Sequence, residues 1–391
     1  MEHLVPSSST PVCAICSAKA EWIGEHIKEH GIDITYYISL YPGSPTIQKS
    51  LLSLYKKSQK GIEKKAFDPS SASIDFAGIS IPINLDVPPS ACLSPVSGYI
   101  IPRHGHLGKD VQDVVISVKN KRSLWVHGPQ GAGKDALFHA ICSSARIPSL
   151  MFAVVQGADL QSWRFTRSFN ANGTSWEEGL LLKAVRDGYK TKSGRVVPYL
   201  IVLSDIDRAT RQQAEELRKI LDTTDSCIQG PGGETYPVLP GTTITATANT
   251  AGRGDNTGHY ISSNPMDSSI LDRFERFVGF HEMDPRDEKE ILINRYKEFH
   301  QEYPNFIQSA MSLSFKIREA IKNGSVYSKF SHRALSSWIG TARDLSKELK
   351  FQKESDLLKR SMRNFIDAAP NEESKMALGR VIDPHIKNGV I

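Results

Sequence analysis

One stretch of the sequence combines glycines and a lysine at the spacing that binds phosphate groups. Nine residues form this loop: Gly128, Pro129, Gln130, Gly131, Ala132, Gly133, Lys134, Asp135 and Ala136. The glycines let successive backbone N–H groups turn inward around an anion, and Lys134 would reach the β and γ phosphates. An apolar run at 124–127 precedes the loop, and a helical pattern at 136–144 follows it. This order of strand, loop and helix predicts that the chain binds a nucleotide, with the positive end of the helix dipole facing the phosphates.

The residue after Lys134 departs from the usual phosphate-binding loop. Ser or Thr normally stands there and coordinates Mg²⁺ through its hydroxyl, whereas this chain has Asp135. A second apolar run, 199–203, ends in Ser204 and Asp205, where a nucleotide hydrolase places one carboxylate for the metal shell and the next for the attacking water. In the register we prefer, Ser204 takes the metal position and Asp205 the water position.

These two departures suggest an exchange of roles around the metal. Asp135 adds a carboxylate where a hydroxyl is usual, and Ser204 puts a hydroxyl where a carboxylate is usual, so the charge around Mg²⁺ stays the same. We therefore expect Asp135, Ser204 and Asp205 to form the magnesium shell. Two alternatives stay open. If the register of this strand end is shifted by one residue, Asp205 would be the metal carboxylate. If the site is degenerate, it would hydrolyse ATP slowly or not at all.

A second candidate site lies near the N-terminus and has the residue types that bind zinc. Cys13 and Cys16 present two thiols from one turn, and His26 and His30 lie one helical turn apart. Four such N and S ligands suit a closed structural Zn²⁺ site, although two buried thiols and two solvated histidines would give the same pattern. Acidic side chains on the accompanying helix disfavour contact with nucleic acid, so we expect this segment to dock a protein.

The composition and the hydrophobic pattern change along the chain and predict an α/β protein with four segments. Residues 1–40 hold the Cys/His block, 41–97 read as a basic helix and a Pro-rich linker or arm, and 98–284 alternate apolar strands with helical patterns. Residues 285–391 form a helical region. Helices are expected near residues 286–302, 312–323, 332–349 and 353–368.

Composition limits the classes of protein to which the chain could belong. It has 391 residues, 39% of them hydrophobic, and a formal net charge of +5, so it is long enough for two or three domains. Five cysteines exclude a secreted disulfide framework, no apolar run approaches the length of a membrane span, and no signal peptide is visible. We expect a cytoplasmic protein with no membrane contact, for which nucleic-acid binding is possible but not favoured.

Several further motifs accompany the two nucleotide-site segments in a specific order along the chain. They are Thr174 to Gly179, Asp205 to Ala209, Gly233 to Pro237, Ala246 to Asp255, Leu271 to Phe274 and Ser331 to Arg333. Together with the phosphate loop, they resemble the AAA+ ATPases, specifically the MoxR branch and its cobaltochelatase small-subunit (CobS) relatives, over roughly residues 98–345. The resemblance implies a P-loop AAA+ core, a parallel sheet flanked by helices, with a C-terminal α-helical lid. The Cys/His block resembles the compact zinc finger of the Ros/MucR regulators.

The AAA+ resemblance also implies roles for individual residues. Asn249 corresponds to the sensor that orients the attacking water, Arg273 to the arginine finger offered to a neighbouring subunit, and Arg333 to the second sensor on the lid. Arg276 is the alternative to Arg273. Lys134, Asp205, Asn249, Arg273 and Arg333 are thus the expected catalytic residues.

The same resemblance implies what the protein does. Family members form rings, usually hexamers, hydrolyse ATP with Mg²⁺ to remodel a protein, and typically act with a von Willebrand factor A domain protein. They carry two inserted β-hairpins, expected here around 161–179 and 226–239. Two other interpretations stay open: a DNA-associated ATPase recruited through its finger, and a catalytically weak ATP-binding scaffold.

Overall fold

The computed structural model describes most of the chain. The described residues are 6–15, 18–30, 34, 37–38, 43–48, 72–170, 173–221, 227–254, 263–326, 330–351, 353–367, 369 and 371–387. Cys16, most of the predicted basic helix and residues 255–262 lie outside them.

The described residues form fifteen strands and twelve α-helices. The strands are β1 (Pro6–Ser7), β2 (Ile47–Gln48), β3 (Ser73–Phe76), β4 (Ile79–Pro82), β5 (Leu124–His127), β6 (Ser149–Ala153), β7 (Phe165–Asn170), β8 (Gly173–Glu178), β9 (Tyr189–Lys190), β10 (Val196–Val197), β11 (Leu200–Ser204), β12 (Cys227–Gln229), β13 (Thr235–Pro237), β14 (Thr243–Ala248) and β15 (Arg276–Gly279). The helices are α1 (Ile23–His26), α2 (Gly105–Lys119), α3 (Lys134–Ala145), α4 (Leu180–Asp187), α5 (Arg211–Leu221), α6 (Ser268–Leu271), α7 (Pro285–Arg295), α8 (Lys297–Glu302), α9 (Phe306–Lys322), α10 (His332–Glu348), α11 (Glu354–Asp367) and α12 (Glu372–Lys387). Short 3₁₀ turns occur at Ile27–His30, Pro89–Ala91, Leu160–Trp163 and Ile206–Arg208.

A five-stranded parallel sheet forms the centre of the fold, as the apolar runs predict. Its strands follow the order β15-β5-β14-β11-β6. Every residue of β11 and β14 is buried, which is typical of strands covered on both faces. The carboxyl ends of β5, β11 and β14 lie at the same edge because the strands are parallel, and the predicted nucleotide-site residues follow these ends. The P-loop α/β fold predicted from the sequence is confirmed.

Two antiparallel hairpins extend from this α/β region, as the sequence predicts. The first pairs β7 with β8 within the expected span 161–179, and the second pairs β12 with β13 within 226–239. Phe169, on the first hairpin, is exposed, and Arg167 lies over the ring of Trp176.

The chain separates into two compact units. The first contains residues 1–96, 111–127 and 134–279, and the second contains residues 97–110, 128–133 and 280–391. The first unit has an apolar core around the central sheet. The second has its own core, built from α7–α12.

The C-terminal helical region agrees with the prediction in kind but differs at its ends. The segment expected at 286–302 is two helices, α7 and α8, because the chain leaves the helical conformation at Tyr296. Helix α9 starts at Phe306, six residues before the expected start at 312, and α12 was not predicted. Leu378 and Ile382 of α12 are buried in the core of this unit.

A buried carboxylate stabilises the helical region. Glu288 of α7 accepts hydrogen bonds from both terminal nitrogens of Arg318, at 2.8 and 2.7 Å. It also lies 3.0 Å from Nδ1 of His332. Burial alone would raise the pKa of Glu288, but its hydrogen bonds to Arg318 and His332 outweigh burial and lower the pKa to about 2.

The segment expected to be a linker or an arm proves to be an arm that packs on the first unit. Strands β3 and β4 form a hairpin, which the Pro-rich composition did not predict. Beyond it, the N–H of Asn84 donates to Ala145 O at 3.0 Å and the N–H of Leu93 to Ser149 Oγ at 2.9 Å. Backbone hydrogen bonds to the core therefore fix the segment.

Over residues 43–48 the prediction of a basic helix is wrong. Ile47 and Gln48 form a short parallel ladder with Pro6 and Ser7. The N–H of Ile23 donates to Thr46 O at 2.8 Å. Pairing with the Cys/His segment therefore overrides the helical pattern here, and the remainder of that predicted helix lies outside the described residues.

Among the described residues, no helix combines the length and the apolar character needed to cross a membrane.

Candidate nucleotide site and Cys/His knuckle

The backbone of the phosphate loop has the conformation that its glycines allow. Gly128, Gly131 and Gly133 have φ of 146°, 83° and 85°, values that side chains disfavour. A Cβ at Gly131 would lie 3.2 Å from Ser331 Oγ and 3.4 Å from the Cβ of Arg333. The structure therefore brings Arg333, the predicted second sensor, next to the loop.

The loop is further closed by its own backbone and continues directly into a helix. The N–H of Ala132 donates to Pro129 O at 3.2 Å. Lys134 is the first residue of α3, with Asp135 and Ala136 in its first turn. Lys134 is nearly buried, so its side chain is held in place rather than free in solvent.

Asp135 lies at the centre of a group of hydroxyls. Ser204 Oγ donates to its Oδ2 at 2.8 Å, and Thr247 Oγ1 donates to its Oδ1 at 2.6 Å. Ser204 is the last residue of β11 and Thr247 lies on β14, so two adjacent strand ends deliver the hydroxyls to α3. We call Asp135, Ser204 and Thr247 the hydroxyl–carboxylate group. Its oxygen donors are of the type that Mg²⁺ prefers.

Asp205, the predicted water-polarising residue, directly follows Ser204 of this group in the sequence. Its φ of 55° is left-handed, a conformation that Asp tolerates better than most residues. Its N–H lies 3.4 Å from Thr247 Oγ1, and its Oδ2 is 3.4 Å from Arg208 Nε. Burial raises the pKa of Asp205, Arg208 opposes that rise, and the neighbouring carboxylates Asp135 and Asp207 add to it.

The first-sensor position, Asn249, is tied to the same strand end by a buried carboxylate. Asp207 Oδ2 accepts hydrogen bonds from the N–H groups of Asn249 and Thr250, both at 3.0 Å, and from Thr250 Oγ1 at 3.1 Å. Asp207 is fully buried. It therefore fixes the backbone from which the Asn249 side chain projects.

His127, the last residue of β5, lies between these charged groups. Burial lowers its pKa, Lys134 lowers it further, and Asp207 opposes both effects. Burial and Lys134 thus both disfavour the protonated imidazole at this position.

The two candidate arginine fingers have different surroundings. Arg276 donates to Ser117 Oγ at 3.2 Å and lies 3.6 Å from Asp113 Oδ1, both on α2 of its own chain. Arg273 donates to the carbonyl of Ser269 one helical turn earlier. Both arginines therefore have partners within their own chain, and the preference for Arg273 as the finger stays a prediction from the family resemblance.

The Cys/His segment brings three of its four predicted ligands together. One ligand atom each of Cys13, His26 and His30 lies within 4.8 Å of the others. Cys16 lies outside the described residues. We call Cys13, Cys16, His26 and His30 the knuckle.

His30 provides the strongest indication that the knuckle binds a metal ion. Only 4% of the residue is exposed, and neither ring nitrogen has a hydrogen-bond partner among the described residues. Unpaired buried nitrogens are costly, and a metal ion would satisfy one of them. Nδ1 of His26 lies 3.3 Å from Glu29 Oε2, the carboxylate contact that orients many metal-binding histidines.

Sequence reasoning missed Thr247 and gave no role to Asp207. Thr247 lies in a run that reads simply as a buried strand, but it stands two residues before Asn249 and so shares a face with it. The alternation of side chains along a strand was therefore the signal that could have identified Thr247. Asp207 follows Asp205 by two residues, and only the turn at Ile206–Arg208 directs it towards the Asn249 backbone.

Comparison with known proteins agrees with this geometry. Residues 123–274 match the family model of the AAA domain, dynein-related subfamily. No curated protein matches the chain. Similar solved structures include the Holliday junction branch migration motor RuvB of Thermotoga maritima, at 13% identity and a TM-score of 0.39, with 68% of this chain and 69% of that chain covered. Another is NtrX of Brucella abortus in complex with ADP, at 14% identity and a TM-score of 0.45, with 75% and 64% covered.

The two solved structures are too distant to bear on the function of this chain. The family match and the sheet together identify residues 123–274 as an AAA ATPase domain, which binds and hydrolyses ATP.

Proposed function

We propose that this AAA ATPase works as a ring of the MoxR/CobS type that couples ATP hydrolysis to remodelling of a protein. The observation that supports it most directly is the hydroxyl–carboxylate group. Its donors come from the helix after the phosphate loop and from two adjacent strand ends, which is where this family binds the metal and the phosphates. The order of the other motifs supports the MoxR/CobS branch.

Asp135 and Ser204 would hold Mg²⁺ with their usual roles exchanged. The bound ion would neutralise charge on the β and γ phosphates. Asp205 follows directly and has a raised pKa, as expected for a carboxylate that accepts a proton from the attacking water. Lys134 would contact the phosphates, and Asn249 would orient the water.

A double substitution tests the exchange of roles. Asp135→Ser removes the unusual carboxylate and Ser204→Asp restores the usual one, whereas each change alone alters the local charge by one. We expect both single variants to lose most of their ATP turnover and the double variant to recover it. A double variant no better than either single one would exclude the exchange, and ATP binding without turnover in the unmodified protein would favour a scaffold.

The proposed arginine finger implies assembly into a ring, and a hexamer is the form that the family resemblance favours. Arg273 would enter the ATP site of a neighbour, where an arginine supplied in trans stabilises the transferring phosphoryl group. Arg273→Ala subunits mixed with Lys134→Ala subunits test this, because in a mixed ring some sites combine an intact Lys134 with an intact neighbouring Arg273. We expect the mixture to regain turnover that each variant lacks alone, while a strictly monomeric enzyme would regain none.

The knuckle is proposed to bind Zn²⁺ through Cys13, Cys16, His26 and His30 and to dock a protein. A von Willebrand factor A domain protein is the partner that the family resemblance favours. DNA recruitment is the alternative, and binding with a steep dependence on salt concentration would support it.

A further inference from the structure

The central sheet has a second edge, at the amino ends of its strands, and a group of cations is exposed there. The end of α2 and the loop between it and β5 contribute Lys119 and Lys121. The short hairpin of β9 and β10, which leads into β11, contributes Lys190, Lys192 and Arg195. All five residues are exposed. We call them the basic surface.

The side chain of Lys121 joins the two parts of this surface. Lys121 has a left-handed φ of 54°, which is uncommon for a residue with a side chain. A Cβ at Gly241 would lie 2.9 Å from Lys121 Nζ and 3.2 Å from Cγ of Pro198. Pro198 directly follows β10, so the ammonium group of Lys121 lies at the base of the hairpin that carries the other three cations.

The pairing of β9 with β10 directs Lys190 away from the protein. Lys190 pairs with Val196, and Tyr189 pairs with Val197; residues directly opposite each other in such a pair share a face. Lys190 and Val196 are exposed, whereas Tyr189 is half-buried and its ring centroid lies 6.5 Å from that of Tyr199. The face with Lys190 therefore points to solvent.

Hydrogen bonds fix the turn of this hairpin. The N–H and the hydroxyl of Thr191 both donate to Arg195 O, at 2.8 and 3.0 Å. Nη2 of Arg195 donates to Asn84 Oδ1 of the arm at 3.4 Å. The backbone that carries Lys192 and Arg195 is thus ordered before a ligand binds, which reduces the entropy lost on binding.

The charges of the basic surface are largely uncompensated. None of its four lysines has an ion-pair partner among the described residues. The carboxylate of Glu275, which lies near the loop, is paired with Arg122 at 2.6 Å. Asp86 accepts a hydrogen bond from Ser193 Oγ at 3.3 Å and offsets part of the positive charge. The surface as a whole should attract an anion.

The residue types indicate which class of anion would fit. The cores of protein–protein interfaces are depleted of lysine and enriched in aromatic residues, whereas residues 119–122 and 190–196 are rich in lysine and contain no aromatic residue. Single-stranded nucleic acids are usually held by bases stacked on aromatic rings, which this surface also lacks. A duplex presents a dense row of phosphates and needs no stacking platform.

We propose that the basic surface binds the phosphate backbone of a double-stranded nucleic acid without reading its sequence. Contacts to phosphates position a duplex but carry no sequence information. The surface contains no residue of the hydroxyl–carboxylate group or of the knuckle, so this activity would be additional to the proposed ATPase. The sequence did not favour such an activity because the five cations come from two segments that are distant along the chain.

Salt dependence measured by fluorescence anisotropy tests the proposal directly. The full-length protein is titrated against a labelled DNA duplex at several salt concentrations between about 50 and 200 mM. If all five cations contact phosphates, the logarithm of the binding constant should fall linearly with the logarithm of salt concentration, with a slope of about −4 to −5. Two duplexes of unrelated sequence should bind equally.

Substitution of the lysines assigns the binding to this surface. Lys121→Gln, Lys190→Gln and Lys192→Gln should each weaken binding to both duplexes and reduce the size of the slope by about 1. The triple variant should reduce it by about 3. ATP turnover and thermal unfolding should stay unchanged, because these exposed side chains touch neither the nucleotide site nor the core.

A matched triple variant controls for the total charge. Lys289→Gln, Lys297→Gln and Lys359→Gln remove three exposed lysines of the second unit, so the net charge changes by the same amount. This variant should bind the duplexes with the affinity and the slope of the unmodified protein. Equal losses in the two triple variants would overturn the proposal, because binding would then depend on net charge alone.

Three further outcomes separate the possible ligands. An RNA duplex of the same sequence is titrated beside the DNA, and the tighter of the two identifies the nucleic acid that the surface prefers. No binding to either duplex at about 50 mM salt, or an unchanged slope in the triple variant of the basic surface, would overturn the proposal. Tighter binding of poly-glutamate than of either duplex would also overturn it and would make the surface a docking site for an acidic protein.

Discussion

Asp205 and Glu288 are acidic residues of the two different units, and their surroundings shift their pKa values in opposite directions. Burial is the largest effect on the pKa of Asp205 and raises it, and two nearby carboxylates raise it further. Arg208 opposes this rise only in part, and its Nε lies 3.4 Å from Asp205 Oδ2. Glu288 is more deeply buried, yet two hydrogen bonds from Arg318 and the contact with His332 lower its pKa to about 2.

This is the difference expected between a carboxylate that takes part in proton transfer, the role proposed for Asp205, and one that only stabilises the fold. A general base must release and accept a proton near the working pH, which a weakly paired carboxylate can do. A carboxylate with two strong partners stays ionised and holds helices together. The raised pKa of Asp205 adds a physical argument to the motif from which its proposed part in the reaction was predicted.

Asp205→Asn should have the largest effect and should alter rate without altering stability. We expect kcat to fall by about 10²- to 10⁴-fold, the usual contribution of a general base, because the amide cannot accept the proton. Unfolding should be unchanged or slightly harder near neutral pH, since the ionised carboxylate is disfavoured in the folded protein. Steady-state ATP turnover and thermal unfolding measure the two quantities, with the exposed Glu215→Gln as control.

Glu288→Gln should show the opposite pattern. Breaking a buried pair leaves Arg318 without its anion and should lower the free energy of unfolding by about 3–5 kcal/mol, measured by denaturant titration. ATP turnover per folded molecule should change little. The exposed Glu290→Gln on the same helix is the control, and a variant as stable as the control would contradict the comparison.

The low pKa of Glu288 also predicts how stability depends on pH. Its pKa in the folded protein lies below the reference value of 4.5, so its contribution is present above pH 4.5 and is lost as pH falls towards about 2. Denaturant titrations across that range should show this loss in the unmodified protein, and Glu288→Gln should show a shallower one.

Asp207→Asn should have an intermediate effect on both quantities. Asp207 is buried like Glu288, but its donors are the neutral N–H and hydroxyl groups around Asn249. We expect a loss of about 1–3 kcal/mol in the free energy of unfolding and a smaller drop in kcat than for Asp205→Asn. A full loss of turnover with unchanged stability would instead give Asp207 a direct part in the reaction.

Arg208→Gln should give the smallest effect, a shift in pH dependence. Arg208 lowers the pKa of Asp205 against burial, so its removal should raise that pKa further. The acid limb of kcat/KM should then move to higher pH, because Asp205 must be ionised to act as a base. An acid limb that stays in place, or that moves to lower pH, would show that Asp205 is not the group that titrates.

The sequence predicted those parts of the site that depend on local geometry. The phosphate loop, the strand ending at Ser204 and both hairpins follow from glycine spacing, apolar runs and turn residues. The role of Thr247 could not be predicted, because it depends on which elements pack together rather than on a motif. The hairpin of β3 and β4 was not predicted because the prolines of this segment suggested a linker. Pro82 is the last residue of β4, a position at which a strand tolerates proline. Helix α12 was missed for a related reason, since the core of the second unit stabilises it.

The position of β5 in the sheet has a consequence for the synthesis of the protein. Both of its neighbours, β14 and β15, come later in the chain, and Arg276 of β15 is about 150 residues beyond the end of β5. At the usual rates of translation, about 8–30 s pass between the synthesis of β5, which leads into the phosphate loop, and the synthesis of β15. Until then its apolar residues, including Trp125, lack the strands that cover them, so this part of the nascent chain exposes apolar surface that favours aggregation during the interval.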